Sequence, residues 1–99
     1  MKRRLKLRKQ ARVDLSEIWA FSAKQWSAAQ ADQYLTGLDD ILSLLCVNPE
    51  ISRLQDNYTP SVRVHRYRSH LVIFTADHTL LEVIRIVHSR SDWQAALSE

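Results

Sequence analysis

Ninety-nine residues, 45% hydrophobic and 25% charged, make one domain with enough apolar side chains for its own core, which excludes a disordered chain. The single cysteine, Cys46, excludes an internal disulfide, and no apolar run approaches the length of a membrane-spanning helix. The net charge of +3 is modest but uneven: six of the first nine residues are basic, whereas most acids lie between Asp14 and Asp56.

The start, Met1-Lys2-Arg3-Arg4, has the basic character of a signal-peptide n-region. Leu5 and Leu7 then alternate with Lys6 and Arg8, so no apolar h-region follows and a cytoplasmic protein is expected. The alternation over Arg4 to Lys9 predicts a half-buried strand. Its charges act either as a solvated edge that blocks aggregation or as a surface for an acidic partner.

From Ala11 the period becomes helical. Ala11, Leu15, Ile18, Trp19 and Trp26 predict a first helix of about four turns with one apolar stripe. Ser27 with Gln30 forms a capping box that opens a second helix. Its stripe is Ala31, Tyr34, Leu35, Leu38, Ile41, Leu42 and Leu45, and Asn48-Pro49 ends it, because the residue before proline avoids helical geometry. The pair is an antiparallel helix hairpin with almost no loop. Cys46 falls on its apolar side, as a small core residue in a reducing compartment. Gly37, the only glycine, costs about 1 kcal/mol relative to alanine inside a helix, and close helix–helix approach is the expected compensation. Asp39 and Asp40 are adjacent, point in different directions and are expected in solvent.

Residues 50–61 read as irregular, with Asn57 and Pro60 as turn markers. Three strands follow, Val62 to Tyr67, Leu71 to Ala76 and Leu80 to His88. They are joined by Arg68-Ser69-His70 and Asp77-His78-Thr79, neither of which carries the glycine that hairpins prefer. The unbroken run Leu71 to Phe74 belongs in the middle of a sheet. A short helix or turn is expected around Asp92 to Leu97. The fold class is therefore α+β, a single domain over residues 1–99: an N-terminal strand, a helix hairpin, then a three-stranded antiparallel sheet.

Little in the chain carries chemistry. There is no glycine-rich phosphate loop and no Gly-x-Ser-x-Gly elbow. His65 and His70 flank a hairpin and are expected near each other, but a zinc site needs about four ligands, so no metal and no cofactor are expected. An arginine–histidine constellation is left. Arg85 interrupts an apolar strand, and burying a guanidinium costs several kcal/mol unless it is paired or reaches water. It is thus either an internal ion-pair residue or part of a groove for something acidic. If Val62 and Val64 face the core, Arg63, His65 and Tyr67 share the opposite face. Alternation likewise puts Arg85 with Leu81, Val83 and Val87, and His88 with Ile84 and Ile86, unless a bulge intervenes. On that basis Arg85 and His88 do not share an active site. His88 and Asp92 are expected to hydrogen-bond and fix the C-terminal turn.

These residues in this order resemble the ParE branch of the RelE/ParE toxin superfamily. The resemblance rests on Ala11-x-x-Asp14-Leu15-x-x-Ile18-Trp19, on Trp26 with Gln30-Ala31-x-x-Tyr34, on Asn48-Pro49, on His70-Leu71-Val72-Ile73-Phe74, and on Ile84-Arg85-Ile86-Val87-His88-x-x-x-Asp92. It covers nearly the whole chain. It departs where the family usually has a glycine before the His-Leu-Val-Ile stretch and this chain has Arg68-Ser69. The resemblance implies the toxin of a type II toxin–antitoxin module, bound by a ParD-like antitoxin and directed at DNA gyrase, with no membrane and no sequence-specific nucleic-acid contact. Arg63, Arg66, Arg68, Arg85 and Trp19 are then the candidate partner-binding residues, and His88 and Asp92 the structural ones. Two other readings stand beside it: a RelE-like ribosome-dependent mRNA endonuclease using Arg63, Arg85 and His88, or a non-toxic antitoxin-binding module.

Overall fold

The computed structural model describes residues 2–97. Strand β1 (Arg4–Leu7) leads directly into helix α1 (Lys9–Gln25), and α2 (Ala28–Val47) follows after a two-residue break. Both helix boundaries have local causes. The Ser27 hydroxyl accepts the Gln30 N–H at 3.1 Å and caps α2. Asn48 closes its last turn with an N–H to the Leu44 carbonyl, and Pro49 opens a 3-10 turn (Pro49–Ile51). Then come β2 (Arg53–Gln55), β3 (Val62–Tyr67), β4 (His70–Ala76), β5 (Leu80–His88) and the short α3 (Trp93–Leu97).

Among the described residues the strands form one mixed sheet in the order β1-β5-β4-β3-β2. Two features extend the expected three-stranded sheet. Arg53–Gln55, read as irregular, pairs antiparallel with β3, and β1 pairs parallel with β5 over Leu80–Val83. A three-residue edge strand is too short to show a period, which is why the alternation test passes over it. The continuous apolar run lies centrally as expected, and Val72, Ile73 and Phe74 are all fully buried.

The α1–α2 hairpin covers one face of the sheet. Ala11, Ile18, Leu38, Leu42, Leu45 and Cys46 meet Val72, Phe74, Leu81, Val83 and Ile86 in the main core. Cys46 is buried and free, and burial pushes its thiol pKa up. Val62 and Ile73 are buried outside this cluster, on the other face. The expected facing of β3 is therefore reversed. Arg63 pairs with Phe74 and Tyr67 with His70, so Arg63, His65 and Tyr67 are on the helix side. Alternating residues with an arginine on one face and valines on the other do not reveal that both faces are covered.

Gly37 serves a helix–sheet contact rather than the expected helix–helix one. A Cβ there would collide with the hydroxyl of Tyr67, which reaches from β3 to donate to the Tyr34 carbonyl at 3.1 Å. The two hairpins manage without glycine in different ways. Between β4 and β5 the Asp77 carboxylate accepts the N–H groups of Thr79 and Leu80, both at 2.8 Å, and these bonds hold its pKa below the usual carboxylate value. Between β3 and β4 the loop is only Arg68-Ser69, since β4 already starts at His70, and Arg68 takes a positive φ of 51°. That is the first central position of a two-residue turn, where glycine is favoured.

Candidate functional site

The last strand carries a β-bulge. Phe74 pairs with Val83 and Ile73 with Arg85, so Ile84 is an extra residue. The bulge switches the buried positions from odd (Leu81, Val83) to even (Ile86) and moves Arg85 off the face of Leu81 and Val83. Beyond Val83 no strand lies beside this edge of β5 among the described residues, because β1 gives way to α1 at the Leu7–Val83 pair.

Asp14 of α1 fills the gap. Its carboxylate accepts Arg85 Nε at 2.9 Å, Arg85 Nη2 at 3.1 Å and the Ile86 backbone N–H at 2.9 Å. Asp14 is 5% exposed and the Arg85 side chain 29%. The bidentate hydrogen bond raises the Arg85 pKa further above its ordinary value. Arg85 is therefore an ion-pair residue here. The sequence reading missed Asp14; the signal that could have found it is its place between Ala11 and Ile18 on the buried face of α1, where a lone acid requires a cation partner.

Beside the ion pair is a cleft of about 370 Å³ between α1 and the free edge of β5, lined by Asp14, Glu17, Ile18, Phe21, His70, Arg85, Ile86, Val87, His88 and Ser91. Arg85 and His88 thus line one cavity, against the expectation that alternation separates them. They alternate on the strand, but the cleft is at its edge, where Arg85 turns toward α1. His70 and His88 are cross-strand partners with rings 5.5 Å apart, edge to face. His70 Nδ1 is 2.7 Å from the Tyr34 hydroxyl. Burial, and then the neighbouring His88, lower the His70 pKa, while burial raises that of Tyr34.

His88 does not use Asp92. Its Nδ1 accepts the Arg90 N–H at 3.1 Å, and its carbonyl accepts the Ser91 hydroxyl at 2.7 Å and the Ser91 N–H at 3.0 Å. The turn is short enough for bonds within two or three residues to close it, and Asp92 is exposed. His65 and His70 do not meet either. His65 Nδ1 faces the buried Ser52 hydroxyl at 3.3 Å, and burial lowers its pKa. Among the described residues no group of three or more His, Cys, Asp or Glu is placed to hold a metal, and no helix is long and apolar enough to cross a membrane.

The arginines of β3 do not form one cluster. Arg63 donates to the Ser52 carbonyl at 3.0 Å, whereas Arg66 Nε donates to the Arg68 carbonyl and Arg68 stacks over Tyr67 at the other end of the strand. Arg68 also borders a second cleft, with Trp26, Gln30 and Tyr34. Trp19 ties α1 to α2 through Nε1–H to Asp32 at 2.8 Å and stays 39% exposed. Asp39 and Asp40 are exposed as expected. In the basic start, Lys6 and Arg8 converge on Glu82 at 3.8 and 3.4 Å, and Arg3 donates to the Cys46 carbonyl. The large residue that the sequence reading passed over is Phe21, 60% exposed on the wall of the α1–β5 cleft.

A family model described as the ParE toxin of the type II toxin–antitoxin system, parDE, matches residues 5–93. The chain belongs to the ParE toxin family. It is 33% identical over 84 residues to Toxin ParE1 of Mycobacterium tuberculosis (strain CDC 1551 / Oshkosh), covering 83% of this chain and 85% of the relative. It is 26% identical over 92 residues to Toxin ParE1 of Caulobacter vibrioides, covering 93% and 95%. The solved structure titled "Chromosomal ParDE TA system from P. aeruginosa" shares the fold, with a TM-score of 0.71 at 17% identity over 88% of this chain and 96% of that one. The ParE match spans the whole α1–β5 cleft, from Leu5 within β1 to Trp93.

Proposed function

We propose that this ParE-family chain works as a toxin through protein binding: a ParD-like antitoxin covers the α1–β5 cleft, and the free toxin targets DNA gyrase. The observation that carries the reading is the make-up of the cleft. Phe21 is largely exposed beside Ile18, Ile86 and Val87, and the guanidinium next to them is already engaged by Asp14. An exposed aromatic on an apolar wall is the usual anchor of a protein interface. The two-component title of the P. aeruginosa structure supports a ParD-like partner. The ribonuclease alternative needs Arg63, Arg85 and His88 to converge. Arg63 is bonded to Ser52 and lies two strands from Arg85, about 10 Å by sheet spacing.

Purified components separate the readings. Inhibition of gyrase supercoiling without ribosome-dependent mRNA cleavage supports the proposal, and cleavage without inhibition rejects it. Phe21→Ser is expected to leave the melting temperature nearly unchanged, because the ring is mostly in water, and to weaken antitoxin binding at least about tenfold. Unchanged binding would move the docking surface elsewhere.

A further inference from the structure

We infer that His88 forms an acid-released latch: its neutral ring, stacked on His70, holds the Arg90 amide in the Ser89–Asp92 turn beside the α1–β5 cleft, and protonation frees that amide, loosening the turn and antitoxin docking. The partner clause rests on the reading of the cleft given above; the latch itself does not.

The chemistry lies in one nitrogen. His88 Nδ1 accepts the Arg90 N–H, so it carries no proton, and the neutral ring keeps its proton on Nε2. Protonation of His88 places a second donor against the Arg90 N–H and breaks that bond. The turn it closes leads into α3, whose Trp93 packs against Tyr58 with ring centroids 6.0 Å apart. Ser91, held by the His88 carbonyl, lines the cleft, so the turn and the cleft share a wall.

Burial, and then the neighbouring His88, disfavour the charged form of His70. His70 faces the Tyr34 phenol of α2 and stacks on His88, with Tyr67 and Arg68 on the adjoining strand and hairpin. His88 is flanked by Arg90 in its own turn. Across the cleft are Arg85, Asp14 and Glu17, and Asp14 is held bidentate by Arg85. No carboxylate is hydrogen-bonded to either ring among the described residues. Two imidazolium ions at this separation repel, so the pair takes up its protons in separate steps.

The test uses the free chain. Amide exchange at Arg90 is measured between about pH 7.5 and 5.5 alongside the imidazole resonances and the Trp93 indole signal. Protection of the Arg90 amide is expected to fall at least about tenfold on acidification, in step with protonation of His88 and a shift of Trp93. His88→Asn supplies a side-chain oxygen that accepts the same N–H at every pH, so its protection should stay flat. His88→Asn also removes the charge beside His70, so the His70 midpoint should move upward. Protection that is flat in the native chain, or lost equally in His88→Asn, overturns the latch. An unmoved His70 midpoint in His88→Asn overturns the pairing. A ParD-type antitoxin that neutralises the chain on co-expression is then titrated at both pH values. An affinity that does not change with pH overturns the regulatory clause, whereas binding that Phe21→Ser does not weaken rejects the proposed docking site and leaves the amide result standing.

Discussion

Removing Asp14 tests the central claim about Arg85. One carboxylate, 5% exposed, accepts three hydrogen bonds: two from the guanidinium and one from the Ile86 N–H at a strand edge without a neighbour. Asp14→Ala leaves that N–H unpaired, at about 1–3 kcal/mol. It also strands a guanidinium that is 29% exposed and swings partly into water, so the total expected loss is about 2–4 kcal/mol. Arg85→Ala leaves the more deeply buried partner alone and is expected to cost about 3–5 kcal/mol. At about 4–8 °C per kcal/mol for a domain of this size, Asp14→Ala melts about 8–32 °C lower. The raised Arg85 pKa means that its contribution is present throughout the range below the ordinary guanidinium value, so results at about pH 6 and 8 should agree. Urea unfolding followed by circular dichroism reads the change, with an unchanged slope as the two-state check. The double variant Asp14→Leu with Arg85→Met should lose less than the sum of the two single losses by at least about 1.5 kcal/mol. Losses that simply add, or an Asp14→Ala loss under about 0.5 kcal/mol, would refute the buried-pair account and return Arg85 to the role of a free groove residue.

Three further outcomes follow from the fold. Gly37→Ala should destabilise by about 1–3 kcal/mol in chemical unfolding despite alanine's better helix propensity, because its methyl meets the Tyr67 hydroxyl; adding Tyr67→Phe should recover part of the loss. Arg68→Gly should raise stability by about 1 kcal/mol in the same assay, by relieving the positive φ at the first loop position. His65 and His70 both have pKa values lowered by burial, so the unfolded chain binds more protons near its ordinary histidine pKa. Stability should therefore be full above about pH 6.5 and fall as pH drops through that value. A melting temperature independent of pH from about 7.5 to 5.5 contradicts the burial of these two rings.

The helix hairpin, the capping serine, the helix end at Asn48-Pro49 and the central position of β4 were all legible in the chain, because each is a local signal: a period, a cap or a proline. Gly37 was legible as an oddity but not as a contact, since Tyr67 comes from a strand thirty residues later. The candidate site was half legible. Arg85 stood out as a charge on an apolar face, whereas its partner Asp14 was missed, since nothing in a one-dimensional pattern joins positions 71 residues apart. His88 was assigned a turn role, and the turn exists, but its partners are Arg90 and Ser91 rather than Asp92.

What the sequence determined by itself was the set of elements and their amphipathic faces, because periodicity and capping are set within a few residues. Only the tertiary structure decided what the charged positions do. The bulge at Ile84 reset the alternation of β5, and the end of β1 at Leu7 exposed the edge that Asp14 closes. A one-residue slip turns every later side chain to the other face, and such a slip is visible only once the partner strand is in place. Arg85 and His88 still alternate after the bulge, and they line the same cleft because it lies at the free edge of β5, where Arg85 turns toward Asp14 of α1.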